Sequence, residues 1–202
     1  MKQNIKAILA PMSQKEKMAY IWDYYKFHII GTIAAIILLI SFISSIGEKK
    51  EVALNMTIIG QGVNTEGVVQ LQEQLTNELV IDKADEEVYI ETLSYDKSSP
   101  DPASQAGLQK MTAQITTGSI DLLIVDKELF EEISSQQNSL LALNDFKGIN
   151  KVLTSNEEVY GISTSDINFL TPLKLDENKV LCVPSNTKNL KQINEFFSLI
   201  TE

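Results

Sequence analysis

The chemically capable residues of this chain gather at the ends of its apolar runs. Gln61, Asn64 and Thr65 follow the alternating segment VALNMTIIG, amid Gly60 and Gly62. Asp126 and Lys127 follow the almost unbroken run IDLLIV, and Ser163 and Thr164 close the segment around Val159. Open α/β sheets bind ligands at the carboxyl ends of their strands. Amide, hydroxyl, carboxylate and ammonium groups on such a rim can hold a small polar ligand or a partner's surface. The same residues also read as ordinary turn and cap chemistry, with glycine for the turn and Asp126 as an N-cap. Both readings stand at this stage.

Catalysis is a poor fit. The chain has one histidine, His28, no arginine and one cysteine, Cys182. That excludes His-based triads, Cys/His zinc sites and a disulfide framework. No glycine-rich phosphate loop and no nucleophile elbow is present. Cys182 sits in VLCV, as a small core hydrophobe would. The acidic groups Asp82, Asp85, Glu86, Glu87 and Glu128, Glu131, Glu132 lack the spacing and central glycine of a calcium loop, and read as solvated faces. We expect no enzyme, no metal and no cofactor.

Charge and hydropathy divide the chain. The 19 residues His28 to Ile46 carry no formal charge. As a helix they span roughly 28 Å, close to the ~30 Å core of a bilayer. Five lysines precede the run, against Glu16 and Asp23, a net of +3. The rest of the chain therefore carries −13 of the overall −10. The positive-inside rule leaves the N-terminus in the cytoplasm and the larger part outside. That acidity also excludes nucleic acid as a partner, because phosphate binding needs clustered cations. Tyr20, Trp22, Tyr24, Tyr25 and Phe27 crowd the entry, where aromatic rings favour the headgroup level. Ser13 and Glu16 make a capping-box pattern, so one helix is expected from about Gln14 to Ile46. A cleaved signal peptide is the rival reading, but its apolar region is typically only ~7–15 residues.

The expected boundaries are 1–27 cytoplasmic and interfacial, 28–46 transmembrane helix, 47–51 linker and 52–202 extracytoplasmic domain. Strands are expected at Val52–Gly60, Glu87–Tyr95, Ile120–Val125, Val159–Ser163 and around KVLCVPS. Helices are expected at Thr65–Val80, Ala103–Thr117, in KELFEEIS, and from Asn189 to the end. Glu91 among apolar residues places the second strand near a sheet edge. Strand and helix alternate three times, the signature of a parallel sheet. The fold class is therefore α/β: a single lobe, a mostly parallel sheet with flanking helices, preceded by one transmembrane helix.

Gly118, Asp121, Phe130, Leu140, Leu143 and Asp145, with Tyr160-Gly161-Ile162 and the segment Pro184 to Ile200, carry a resemblance. Their order is similar to that of extracellular solute-binding proteins of the periplasmic-binding-protein-like type II fold. The resemblance covers most of Val52 to Ile200 and implies a sheet whose first strands run 2-1-3. Its motifs specify packing, not chemistry. Members usually have two lobes. Here only about 15 residues separate Phe146 from Gly161, and about 20 separate Ile162 from Cys182, so a second lobe has no room. The segment KEKMAYIWDYYKFHIIG also resembles the anchors of small membrane proteins of Gram-positive bacteria. These features together imply a domain on the bacterial cell membrane that docks on a membrane-protein partner, such as a transporter or signalling protein. Capture of a small molecule at the strand-end rim is the alternative.

Overall fold

The computed structural model describes residues 13–46, 50–98, 101–143, 152–155 and 158–201, without the side chains at 20, 21, 24, 42–46, 152–155, 158 and 166. The chain divides into two compact units, Met1–Lys49 and Lys50–Glu202. The first holds helix α1, Gln14–Ile46. Its start is fixed as a capping box. The Ser13 amide and hydroxyl both donate to Glu16 Oε2 at 2.8 Å, and the Glu16 amide returns to Ser13 Oγ at 3.4 Å. Those two donors hold the Glu16 carboxyl below its usual range. Beyond Lys26, Ile30, Ile33, Ile36, Ile37, Leu38, Leu39 and Ile40 are all at least half exposed, on every side of the helix. Among the described residues, however, no helix is long and apolar enough to cross a membrane. The apolar run reads on to Ile46, and the side chains of its last five positions lie outside the description. The expected transmembrane helix is therefore not a feature of the structure as described.

The second unit holds β1 (Glu51–Ile59), α2 (Thr65–Leu79), β2 (Glu86–Leu93), α3 (Pro102–Thr117), β3 (Leu122–Asp126) and α4 (Lys127–Ser134). Then come β4 (Val152–Ser155), β5 (Glu158–Ser163), two 3₁₀ turns, β6 (Lys179–Cys182) and α5 (Leu190–Thr201). One six-stranded sheet runs β2-β1-β3-β6-β5-β4. The order β2-β1-β3 and the edge position of β2 follow the sequence reading. The chain steps outward from β1 to β2 and then back past β1 to β3. Right-handed crossovers therefore put α2 and α3 on opposite faces. Leu71 and Leu75 of α2 join Leu54, Met56, Ile58, Val88, Ile90, Leu122 and Ile124 on one side, with Ile193, Phe196 and Phe197 of α5. Met111 of α3 and Leu129, Phe130 and Ile133 of α4 cover Ile59, Leu93, Leu123, Val125, Val180 and Cys182 on the other.

The sheet is mixed, not mostly parallel. β1 pairs parallel with β2 and β3, but β3–β6, β6–β5 and β5–β4 are antiparallel. The reason lies between β5 and β6. A parallel return needs a crossover of a dozen or more residues, usually a helix. Here the link from Ser163 to Lys179 is long enough but holds only short 3₁₀ turns, Thr164–Asp166 and Asn168–Leu173, in place of a crossover helix, and the chain returns antiparallel. A four-residue, fully buried strand such as β6 looks the same in sequence whichever way it runs.

Local signals set the helix ends. Asp101 caps α3, its carboxylate accepting from the Ser104 amide at 2.7 Å, and Pro102 follows at the first helical position. That bond holds the Asp101 carboxyl below its usual range. Gly118 ends α3 at φ +64°, the left-handed conformation that glycine adopts without a Cβ penalty.

The amino end of β3 is anchored by a buried carboxylate. Asp121 is almost wholly enclosed. Its oxygens accept from the Asn55 amide at 2.8 Å, Thr187 Oγ1 at 2.6 Å and Asn189 Nδ2 at 2.9 Å. Asn189, the expected start of the last helix, sends its side-chain amide to this carboxylate. Replacing Asp121 by Ala strands three donors and should cost at least about 3 kcal/mol, of a typical ~5–15 kcal/mol. Asp121→Asn, which keeps one acceptor, should cost less. Leu123→Asp should abolish folding, because it buries an unpaired charge in a fully enclosed strand. Urea midpoints of the three variants test the order. A tolerated Leu123→Asp would remove β3 from the centre of the core.

Candidate functional site

β1, β2 and β3 end at the same side of the sheet, and β6 begins there. The edge they form borders an open cleft of about 830 Å³. Gln61 comes from the turn after β1, Tyr95 and Asp96 from the segment after β2, and Asp126 and Lys127 from the junction of β3 and α4. Asp176, Asn178 and Lys179 close the other side.

Lys179 is the central group, and only 3% of its side chain is exposed. Its ammonium lies 2.8 Å from Asp126 Oδ1 and donates to the Ile59 carbonyl at 2.7 Å. Antiparallel register sets Asp126 directly opposite Lys179, so the strands themselves bring the pair together. The backbone of β1 yields to it. Gly60 stands at φ +147°, and a Cβ there would lie 2.2 Å from Lys179 Nζ. Burying an ammonium is costly unless it is paired and hydrogen-bonded. Both conditions are met here.

The sequence-predicted rim residues divide into two groups. Gln61, Asp126 and Lys127 line the cleft. Asp126 occupies the N-cap position of α4 but makes no side-chain cap bond, because its carboxylate turns to Lys179. Asn64, Thr65, Ser163 and Thr164 are not among the cleft-lining residues. Asn64 donates from Nδ2 to the Pro172 carbonyl at 3.1 Å and so ties α2 to the second 3₁₀ turn. Thr65 is exposed at the start of α2. Ser163 Oγ lies 2.9 Å from Ser165 Oγ. Thr164 is buried and donates to the Lys179 carbonyl at 3.1 Å. Sequence reasoning missed Lys179 because KVLC reads as a strand with a polar first residue. The available signal was its place at a strand end, opposite the Asp that closes IDLLIV.

The cleft carries both signs of charge. Lys97 pairs with Glu128 at 3.0 Å on its outer wall, and that contact raises the Lys97 ammonium above its usual range. Asp96 receives the Ser98 amide and hydroxyl at 2.8 and 2.6 Å. Among the described residues, no cluster of three or more Asp, Glu, His or Cys is placed to hold a metal. Of the expected interface aromatics, Trp22 and Phe27 are exposed and Tyr25 sets its ring edge-on to His28, 6.1 Å between centroids. The side chains of Tyr20 and Tyr24 lie outside the description.

No protein-family model matches this chain, and no curated protein matches its sequence. Among solved structures it is similar to an extracellular solute-binding protein of family 1 from Alicyclobacillus acidocaldarius subsp. acidocaldarius, with 18% identity and a TM-score of 0.37. The likeness covers 57% of this chain, which spans 28% of that one. At that score it assigns neither family nor activity.

Two outcomes follow from the cleft chemistry. Asp126→Ala leaves the Lys179 ammonium without its carboxylate and should cost about 1–3 kcal/mol. Adding Lys179→Met should recover most of that loss, since an apolar replacement of a buried pair is often neutral. A double-variant loss equal to the sum of the Asp126→Ala and Lys179→Met losses, by urea unfolding, would mean that the pair is not coupled. Burial pushes the Cys182 thiol up to about 12. Cys182 should therefore resist alkylation in the folded protein at pH 8 and react at once in denaturant, as mass spectrometry would show.

Proposed function

We propose that this chain is a single-pass membrane protein whose extracytoplasmic α/β domain acts by binding, without catalysis. The uncharged run from His28 to Ile46 and the five lysines before it support the anchor. The exposure of α1's isoleucines on every side is what a lipid-facing helix requires.

The observation that carries the binding reading is the one-sidedness of the cleft. Its walls come from a single sheet and that sheet's own loops. A small molecule lying there keeps one side in water, whereas ligand sites usually bury most of the ligand's surface. A protein surface needs no such enclosure. The primary reading is therefore docking on a membrane protein in the same bilayer, where shared tethering raises effective concentration and lets a modest interface suffice. The second reading, small-ligand capture at the strand ends, is favoured by one specific feature. Lys179 is held by two acceptors beside Gln61 and Lys127, as a preorganised contact would be.

Topology is tested first. Protease added to wall-free cells should degrade the domain beyond Glu48 and spare an N-terminal tag. A protected domain would overturn the anchor. A thermal-shift panel of metabolites on the purified protein then separates the two readings. Docking predicts no ligand that raises the melting temperature at millimolar concentration. A shift of several degrees that disappears in Asp126→Ala would establish ligand capture instead.

A further inference from the structure

Over Glu86 to Ile90 the outer edge of β2 is closed by a turn carbonyl and by side chains of a neighbouring helix. An edge strand presents a row of outward N–H groups that can template another strand. On β2 the outward donors at 86, 88 and 90 all have partners. The Glu86 amide donates to the Asp82 carbonyl at 2.9 Å, in the tight turn that enters the strand. The Val88 amide donates to Thr76 Oγ1 at 3.0 Å, and the Ile90 amide donates to Gln72 Oε1 at 3.1 Å. The match is geometric. Residues four apart on a helix stand about 5–6 Å apart. Alternate residues on a strand are about 6.6 Å apart. Helix α2 runs antiparallel to β2, so Thr76 meets Val88 and Gln72 meets Ile90. Both side chains sit on the margin of α2, beside its buried Leu71 and Leu75, and reach over the strand.

We infer that Gln72 and Thr76 act as a lock on the β2 edge, which keeps a second copy of this chain from adding its own β2 there. The sequence of the strand, EEVYIETL, otherwise suits edge pairing: it is β-prone, with Val88, Tyr89, Ile90 and Leu93 in eight residues. Its glutamates repel a like strand, but Glu91 is already matched by Lys110 and by Gln114 Nε2 at 2.9 Å on the α3 face. Charge alone is thus a partial barrier, and salt screens it. The hydrogen-bonded cover is not screened.

The test uses the full chain in detergent micelles. Gln72→Leu with Thr76→Val keeps the bulk of both side chains and removes both acceptors. Hydrogen exchange with residue-level mass spectrometry should show the Val88 and Ile90 amides exchanging at least tenfold faster. The amides of Met56 and Leu123, in the sheet interior, should keep their protection. In 1 M NaCl, where the screening length is about 3 Å, the variant should gain a dimer by sedimentation that the natural chain lacks. Gln72→Glu with Thr76→Ser keeps both acceptors and should stay as the natural chain is. Unchanged exchange at Val88 and Ile90, or faster exchange with no gain in self-association, would overturn the lock. If the double variant unfolds, seen as lost protection at Leu123, Thr76→Val alone frees one donor and decides the question by the same readouts.

Discussion

Strand β3 is fixed at both ends by a carboxylate, and the rest of the α/β unit is built around that constraint. Asp121 at its amino end gathers the Asn55 amide of β1 and the Thr187 and Asn189 side chains of the C-terminal loop. Asp126 at its carboxyl end holds Lys179 of β6, which in turn holds the Ile59 carbonyl of β1. β1 and β3 are thereby tied at two levels, five residues apart, and β6 at one of them. A strand that slips by one residue moves every side chain to the opposite face. In β3, where both faces are buried, hydrophobicity alone does not choose the register, because Leu122, Leu123, Ile124 and Val125 fit either way. The two carboxylates choose it. A slip would carry Asp121 away from its three donors and leave Lys179 buried alone.

This division of labour explains what could be read from the sequence. Element existence was legible wherever period or capping chemistry was strong: the alternating VALNMTIIG, the apolar run IDLLIV, the Ser13–Glu16 box. The order β2-β1-β3 was implied by the resemblance to solute-binding proteins, in agreement with Glu91 on an edge strand and the unbroken apolar run of β3. The direction of β6 was not legible, since its four buried residues lack an alternating face to read. Asp126 illustrates the limit at the site. Its position after an apolar run marks it as a cap, and it stands at the cap position. Its carboxylate is nonetheless spent on a lysine more than fifty residues away, which no local pattern announces. There a buried charge outcompeted a solvated helix end, as expected when the cost of leaving the charge unpaired exceeds the gain from one cap.

The cleft inherits its character from the same pairings. Lys179 is the buried cation of the strand-end edge, yet it is neutralised from within by Asp126. A visiting group meets an already balanced pair and a rim of exposed charges. Such a surface gives orientation and salt-sensitive association rather than deep burial. Together with walls on one side, this supports the proposed contact with a surface large enough to supply its own desolvated area.

The sheet's β2 edge bears on that argument from another direction. Docking by strand addition is the simplest way for an open sheet to recruit a partner, because main-chain bonds supply affinity without special side chains. On β2 the donors at 86, 88 and 90 are already taken. A strand-type partner would have to displace Gln72 and Thr76 and exchange two formed bonds for two new ones, with little net gain. For a domain concentrated by the proposed membrane anchor, an open edge would be a standing route to self-association. Closing it leaves the strand-end side, where Gln61, Lys127 and the Asp126–Lys179 pair converge, as the better-suited contact surface of the two.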